Sequence, residues 1–284
     1  MVSLERMLFP TDFSPYSMIV TEFLQDLKSA GVKEVDVLFV VNTAKLSSVS
    51  GGFDLERYVE LEIRRAEEEL PKLLEKLEKA GLKAKAIKPF PSGNPVSEIS
   101  KISKSYDFIA MGARGRGIFK EILLGSVSEG VVRKSEIPVY VFKSKTEILE
   151  SGMKCYKPCE NLFAKILVAF DFSKHSQKAL EYASKIAKET HGEIILLHVD
   201  EDEKCKKDDL SAVAEDLRAK GLKVTDIKAS GSPAKVILSK QAEMKATTIF
   251  IGSRGMSLAK ALIVGSVSDP VVRMSEVPVF VSKL

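Results

Sequence analysis

Two stretches of the chain carry one pattern. They are Gly112-Ala-Arg-Gly115-Arg-Gly-Ile-Phe-Lys-Glu-Ile-Leu-Leu-Gly125-Ser126-Val127-Ser128 and Gly252-Ser-Arg-Gly255-Met-Ser-Leu-Ala-Lys-Ala-Leu-Ile-Val-Gly265-Ser266-Val267-Ser268. In each, two residues separate the first glycine from the second, and nine separate the second from a Gly-Ser pair. The copies lie 140 residues apart (252 − 112), and Ser135-Glu-Ile-Pro138-Val-Tyr-Val answers Ser275-Glu-Val-Pro278-Val-Phe-Val at the same offset. A short apolar run precedes each loop, at 107–111 and 248–251, and reads as a buried strand. Helix-start chemistry follows it. Ser126-Val-Ser-Glu129 fits a capping box, and Ser266-Val-Ser-Asp269 is a weaker relative. Strand, glycine loop and helix N-terminus together place pliable backbone beside free N–H groups and the positive end of a helix dipole. That arrangement suits an anion, most simply phosphate. One such loop alone could be plain turn chemistry. Duplication of a fold would preserve strands and helices, but would not require Gly115, Gly125 and Ser126 to recur at fixed spacing.

Outward from the loops, the 284 residues divide into two domains, 1–143 and 165–284, joined by a linker at 144–164. Strands are predicted at 7–10, 35–41, 82–90, 107–111 and 139–142, and again at 165–171, 194–199, 222–230, 247–251 and 279–281. Helices are predicted after Asp12 as far as Gly31, at 55–80, 95–104 and 127–134, then at 173–188, around 210–217, 233–244 and 267–274. Pro71 is expected to kink the second of these. The first copy holds 19 more residues between Asp12 and Gly112 (159 − 140), placed between its second strand and the middle of its second helix. Alternating strands and helices imply parallel sheets with right-handed crossovers. Ligands of such sheets sit beyond the carboxyl ends of the strands, where the strand order reverses. Asp12 follows strand one and the loop follows strand four, so neighbouring strands would bring both to one crevice.

Composition narrows the function. No apolar run reaches the roughly 18 residues of a membrane helix, and no signal-peptide region opens the chain, so a cytoplasmic protein is expected. The net charge of +4 is small, and Lys and Arg alternate with Asp and Glu along helices, which reads as solvated faces and not a nucleic-acid surface. Abundant Lys and Glu with only three Gln and three Asn hints at a hot-adapted source, on composition alone. Of the three cysteines, Cys155 and Cys159 lack neighbouring ligands for a metal site; they read as two free thiols, with a labile disulfide as the alternative.

With Pro10-Thr11-Asp12-Phe-Ser, Ala169-Phe170-Asp171-Phe-Ser, Leu196-Leu-His-Val199, Gly93-Asn-Pro95, Gly231-Ser-Pro233 and both glycine loops in view, the chain resembles the universal stress protein family. The likeness is to its nucleotide-binding branch, as two tandem domains. The resemblance implies two open α/β domains of the adenine nucleotide alpha hydrolase type. Each would have a five-stranded parallel sheet of order 3-2-1-4-5 flanked by helices, and the fifth strands would pair antiparallel as a pseudo-dimer within the chain. Homodimers of whole chains stay open. It implies ATP, ADP or AMP as ligand, with Mg or Mn held through the phosphates as an option, and a regulatory or sensor role in stress response.

The resemblance places adenine by Pro10, Thr11, Asp12 and Val41 in the first repeat and by Ala169, Phe170, Asp171 and Val199 in the second. Gly112 and Gly252 lie by the ribose. The phosphates lie against Gly115, Gly125, Ser126, Val127 and Ser128, and against Gly255, Gly265, Ser266, Val267 and Ser268, with Arg114 and Arg254 in reach. Ala169-Phe170 departs from Pro10-Thr11, which puts side-chain contacts there in question. Asp12 and Asp171 also suit helix caps. His175 and His191 read as polar helix surface.

Nothing in the sequence assigns a catalytic residue or metal ligand. The Walker pattern is absent, and no paired carboxylates recur beside the loops. The signatures of the superfamily's adenylylating members, His-Ile-Gly-His and Ser-Gly-Gly-x-Asp-Ser, are absent too. A binding module is therefore expected. The alternatives are a slow ATP hydrolase or self-phosphorylating protein with Ser126 or Ser266 as acceptor, and an interaction scaffold with empty sites. The insertion, at 47–52 and 54–57, is a candidate nucleotide-responsive surface.

Overall fold

The computed structural model describes residues 2–44, 54–114, 124–149, 152–200, 209–254 and 265–284. Gly115, Gly255, Cys205 and the stretch 47–52 lie outside them. The first repeat runs β1 (Arg6–Pro10), α1 (Pro15–Met18), a 3-10 turn (Ile19–Phe23), α2 (Leu24–Ser29), β2 (Glu34–Leu38), β3 (Val41–Asn42), α3 (Leu55–Lys79), β4 (Lys83–Ala86), β5 (Ser92–Gly93), α4 (Pro95–Ile102), β6 (Phe108–Gly112), α5 (Ser126–Lys134) and β7 (Val139–Phe142). A hairpin follows, β8 (Lys145–Leu149) and β9 (Gly152–Tyr156). The second repeat is β10 (Lys165–Ala169), α6 (Lys174–Thr190), β11 (Glu193–Asp200), α7 (Leu210–Ala219), β12 (Lys223–Ser230), α8 (Pro233–Glu243), β13 (Thr248–Gly252), α9 (Ser268–Met274) and β14 (Val279–Ser282).

One ten-stranded sheet spans both repeats, in the order β12-β11-β10-β13-β14-β7-β6-β1-β2-β4. Within each repeat the strands are parallel and follow 3-2-1-4-5. Successive residues feed opposite faces: Met7 and Phe9 enter one core layer while Leu8 enters the other, and Tyr140 and Phe142 oppose Val139 and Val141. Strands buried on both faces explain the near-continuous apolar runs. Among the described residues no helix is long and apolar enough to cross a membrane.

Three features depart from the sequence reading. The second strand stops at Leu38, and the chain leaves the sheet before Val41–Asn42 pairs with Ser92–Gly93 as a separate ladder. The run 82–90 keeps only Lys83–Ala86 in the main sheet. The hairpin of β8 and β9 occupies a region read as linker. The long helix α3 continues through Pro71, which stands on its exposed side.

The repeats meet where β7 and β14 pair antiparallel, Phe280 opposite Tyr140. Paired edges leave neither strand open to other chains. Arg133 and Arg273 each reach both Glu129 and Asp269, at 2.5–3.4 Å, tying α5 to α9. Two buried lysines add a reciprocal cap. Lys143 Nζ donates to Arg273 O at 3.2 Å, and Lys283 Nζ donates to Val132 O at 2.7 Å. A cation suits the last turn of a helix. Burial first, then the charges of Arg114 and Arg254 respectively, push each ammonium from 10.5 down to about 8.

The unfolded chain therefore binds more protons than the folded one between about 8 and about 10.5, and stability rises with pH across that window. The urea midpoint of the wild type should gain on that of a Lys143→Met/Lys283→Met variant as pH is raised through it. A constant difference would mean that burial does not depress the two lysines in the fold.

Candidate functional site

Strands β1 and β6 are hydrogen-bonded neighbours, and the strand order reverses between them. Beyond their carboxyl ends lies a cavity of about 500 Å³. One end is walled by Pro10, Thr11 and Asp12 and by Leu38, Phe39 and Val40. The other end is walled by Gly112, Arg114 and residues 125–128, and Tyr58 and Glu62 of α3 also line the cavity.

The Asp12 end is held by a local turn. Asp12 Oδ1 accepts from Ser14 N at 3.0 Å and Ser14 Oγ at 2.6 Å. Ser14 is the N-cap of α1, so Asp12 precedes the cap and does not supply it. Between them Phe13 takes φ +56°, a left-handed backbone that bulky residues rarely adopt. Its ring packs on Phe39, 5.6 Å between centroids, which holds the strained turn in place. Thr11 is buried, its Oγ1 bonded to Ser17 Oγ at 2.9 Å and accepting from Phe13 N.

The opposite end is built from backbone. Gly125 N donates to Ala113 O at 2.8 Å, bringing the two ends of the loop together. The first backbone bond of α5 runs from Glu129 N to Gly125 O, so the amides of Ser126, Val127 and Ser128 have no acceptor within the helix. Ser126 makes no capping box; the N-cap is Gly125 without a side-chain bond. Ser128 instead donates to Gly112 O at 2.9 Å, fastening α5 to the end of β6. The Arg114 guanidinium lies over the Tyr16 ring at 5.5 Å. Gly112 has its own structural reason: a Cβ there would stand 2.0 Å from Tyr16 O.

One expected site residue is misplaced by one position. Val41 is fully buried with Phe39 and Ala66, and Val40 lines the cavity instead. The ladders pair Pro10 with Leu38 and Ala169 with Leu197, so Val40, not Val41, corresponds to Val199. The doublet Val40-Val41 hid this shift. Tyr58 and Glu62 were missed; their spacing of four on one helix face was the available signal, beside the apolar stripe of α3.

The second repeat keeps the frame with different chemistry. Asp171 Oδ1 accepts from Ser173 N at 3.1 Å, again just before the cap, and Phe172 repeats the left-handed turn at φ +61°. Phe170 is buried where the first repeat has Thr11, and packs edge-on to Phe172 at 4.8 Å. His198 spans Phe170 O at 2.7 Å and Asp200 Oδ1 at 2.9 Å. Gly265 N reaches Ser253 O at 2.8 Å, as its counterpart does. Helix α9 begins only at Ser268, two residues later than α5, and leaves Ser266 and Val267 in a turn. Ser268 Oγ donates to Ser253 O at 3.2 Å and is not tied to the Gly252 carbonyl. Ala169 is half-buried. His175, read from the sequence as helix surface, instead packs on Gly252 and bonds Ser253 Oγ through Nδ1 at 3.1 Å. The other histidine of that reading, His191, ends α6 at φ +58°. Cys155 and Cys159 are free thiols, as expected. Among the described residues no group of three or more His, Cys, Asp or Glu is placed to hold a metal.

A duplicated open-sheet domain, with a crevice at the point of strand reversal and a helix N-terminus facing it, defines the class. The model of the universal stress protein family matches residues 3–143, 162–206 and 200–283, and the chain belongs to that family. It is 46% identical to a universal stress protein from Archaeoglobus fulgidus DSM 4304 whose crystal structure is known, with a TM-score of 0.81 and 98% of each chain covered. It is also 34% identical to universal stress protein MJ0577 of Methanocaldococcus jannaschii over 160 residues, 51% of this chain and 98% of that protein. Universal stress protein Rv2005c of Mycobacterium tuberculosis is 27% identical over 205 residues, 66% of either chain.

Proposed function

We propose that the crevice of the first repeat binds an adenine nucleotide, ATP, ADP or AMP, that the second repeat binds one in a differently built pocket, and that the role is regulatory within the cytoplasm. The observation that carries this is the polarity of the first cavity. Three helix-start amides and Arg114 converge on one end, and apolar Leu38 and Val40 with the Asp12 carboxylate stand at the other. Phosphates fit the first end; a purine ring and its hydroxylated sugar fit the second. About 500 Å³ is in the usual range for such ligands. The residues holding the nucleotide would be Pro10, Thr11, Asp12, Val40, Gly112, Arg114, Gly125, Ser126, Val127 and Ser128. In the second repeat they would be Ala169, Phe170, Asp171, Val199, Gly252, Arg254, Gly265, Ser266, Val267 and Ser268. A divalent cation would be held through the phosphates.

Ser126 tests the placement. Its side chain is exposed at the first position of α5, where an acid is favourable for the helix but collides electrostatically with a phosphate. Ser126→Glu should weaken ADP binding about a hundredfold, as like charges in contact cost several kcal/mol. Unchanged affinity would remove the phosphates from this helix.

The N-terminal half of helix α3 belongs to the insertion peculiar to the first repeat, and its Tyr58 and Glu62 face the cavity. A bound nucleotide biases any conformation that holds it better. Amide exchange over 55–62 should slow when ADP is added, and unchanged protection there would exclude α3 as the responsive surface.

A further inference from the structure

The second repeat differs from the first at three positions that touch one another. Tyr16, Ala113 and Phe142 are answered by His175, Ser253 and Ser282. Ser282 Oγ donates to His175 O at 2.8 Å, which fixes the start of α6 over the end of β14. Ser253 Oγ meets His175 Nδ1 at 3.1 Å, which orients the ring, and Nε2 has no partner among the described residues. The close approach is possible because residue 252 is glycine; a Cβ there would lie 2.8 Å from His175 Cβ. From this geometry we infer that His175 is an anion-recognition residue of the second repeat, absent from the first, and that an anionic group bound against Gly252–Arg254 is taken up together with a proton on its ring. The inference deepens the nucleotide reading and rests on it only for the identity of the anion.

The charges around the ring support it. Arg254 follows β13, Lys283 follows β14, and Asp171 precedes α6; these are the charged groups that face His175. Two cations against one carboxylate leave the corner positive. Burial first, then Arg254 and Lys283, hold the imidazole below its ordinary 6.5, while Asp171 opposes them weakly. The same corner holds Lys283 down at about 8. In the first repeat the matching corner has Arg114 and Lys143 but a phenol in place of the imidazole.

Cations crowded in this way lower one another's affinity for protons, and an arriving anion reverses that. Without ligand the depressed imidazole makes the fold less stable as pH falls below about 6.5, because the unfolded chain then binds the extra proton. With an anion in place the folded chain takes that proton up, so binding at this repeat strengthens as pH falls. The first repeat has a tyrosine, Tyr16, and no histidine at this position.

The chain has three histidines, so their ring resonances can be followed individually in the whole protein. The pH titration is run without ligand, with saturating sulfate, a dianion that does not itself titrate near neutrality, and with ADP. The His175→Tyr variant, which installs the residue of the first repeat, assigns the signal. The midpoint of His175 should rise by about one unit with either ligand, at the lower end of the effect of a close opposite charge. A shift of that size corresponds to about tenfold tighter sulfate binding in acid than in base, and His175→Tyr should abolish that pH dependence. If sulfate moves His175 and ADP does not, the anion site stands and the nucleotide reading of this repeat fails. If neither moves it, the inference is overturned, whether or not ADP binds elsewhere in the chain.

Discussion

Gly112→Ala is expected to destabilise the protein by about 3 kcal/mol or more, the upper range for overpacking a well-packed site. Ordinary loop glycines tolerate alanine; this one does not. The added methyl would lie 2.0 Å from Tyr16 O and 2.9 Å from Ser17 Cα, and both are backbone, with no side chain to swing aside. Relief would require α1 to back away from β6. That movement would separate Thr11, hydrogen-bonded to Ser17, from the Gly112 carbonyl held by Ser128. The two ends of the cavity would come apart together. The urea midpoint should fall, and ADP affinity should fall with it even in protein that remains folded. The matching Gly252→Ala should be milder, since its nearest obstacle is His175 Cβ at 2.8 Å. Equal and small effects at both glycines would show that the helix is not seated on the strand end as described.

The second large effect lies at the junction of the repeats. Tyr140 is 1% exposed and Thr248 0%, and their hydroxyls meet at 2.8 Å. Thr248 Oγ1 donates onward to Pro278 O, so Tyr140 must be the donor to Thr248. The pseudo-symmetric position holds no such pair, because Phe280 there faces Phe108 at 6.4 Å. Thr248→Val would leave the Tyr140 hydroxyl buried without a partner, at a cost of about 1–3 kcal/mol. Tyr140→Phe removes the other partner and leaves Thr248 its bond to Pro278. The double variant Tyr140→Phe/Thr248→Val makes this pair apolar like its counterpart and should recover most of the loss from Thr248→Val alone. A double-mutant cycle on urea midpoints measures the coupling. Additive losses would mean that the two hydroxyls are not bonded across the domains.

The sequence made the sheet legible because both faces are covered. Runs such as 108–111 and 194–197 are apolar throughout, and the glycine loops mark the ends of the fourth strands. The strand order and the Asp12 crevice followed from the resemblance and the alternation of strands and helices. What it hid was set by long-range contacts. Val40 and Val41 are chemically alike, and only the exit of the chain from the sheet after Leu38 decides which one faces the cavity. Ser126 and Ser128 both suit a cap, but the Gly112 carbonyl, sixteen residues away in sequence, engages Ser128. His175 looked like a solvated residue in the first turn of α6, because the serines that surround it come from 78 and 107 residues further on. The hairpin of β8 and β9 carries little apolar periodicity and was invisible for that reason.

The most direct test of the nucleotide reading is a calorimetric titration of the purified whole chain with ATP, ADP and AMP, repeated on Ser126→Glu. Saturable binding of at least one of them, with the first-repeat event lost in the variant, is the expected result. No heat and no competition from any of the three at about 1 mM, a concentration at which even a weak site of −4.1 kcal/mol would be half filled, would contradict it.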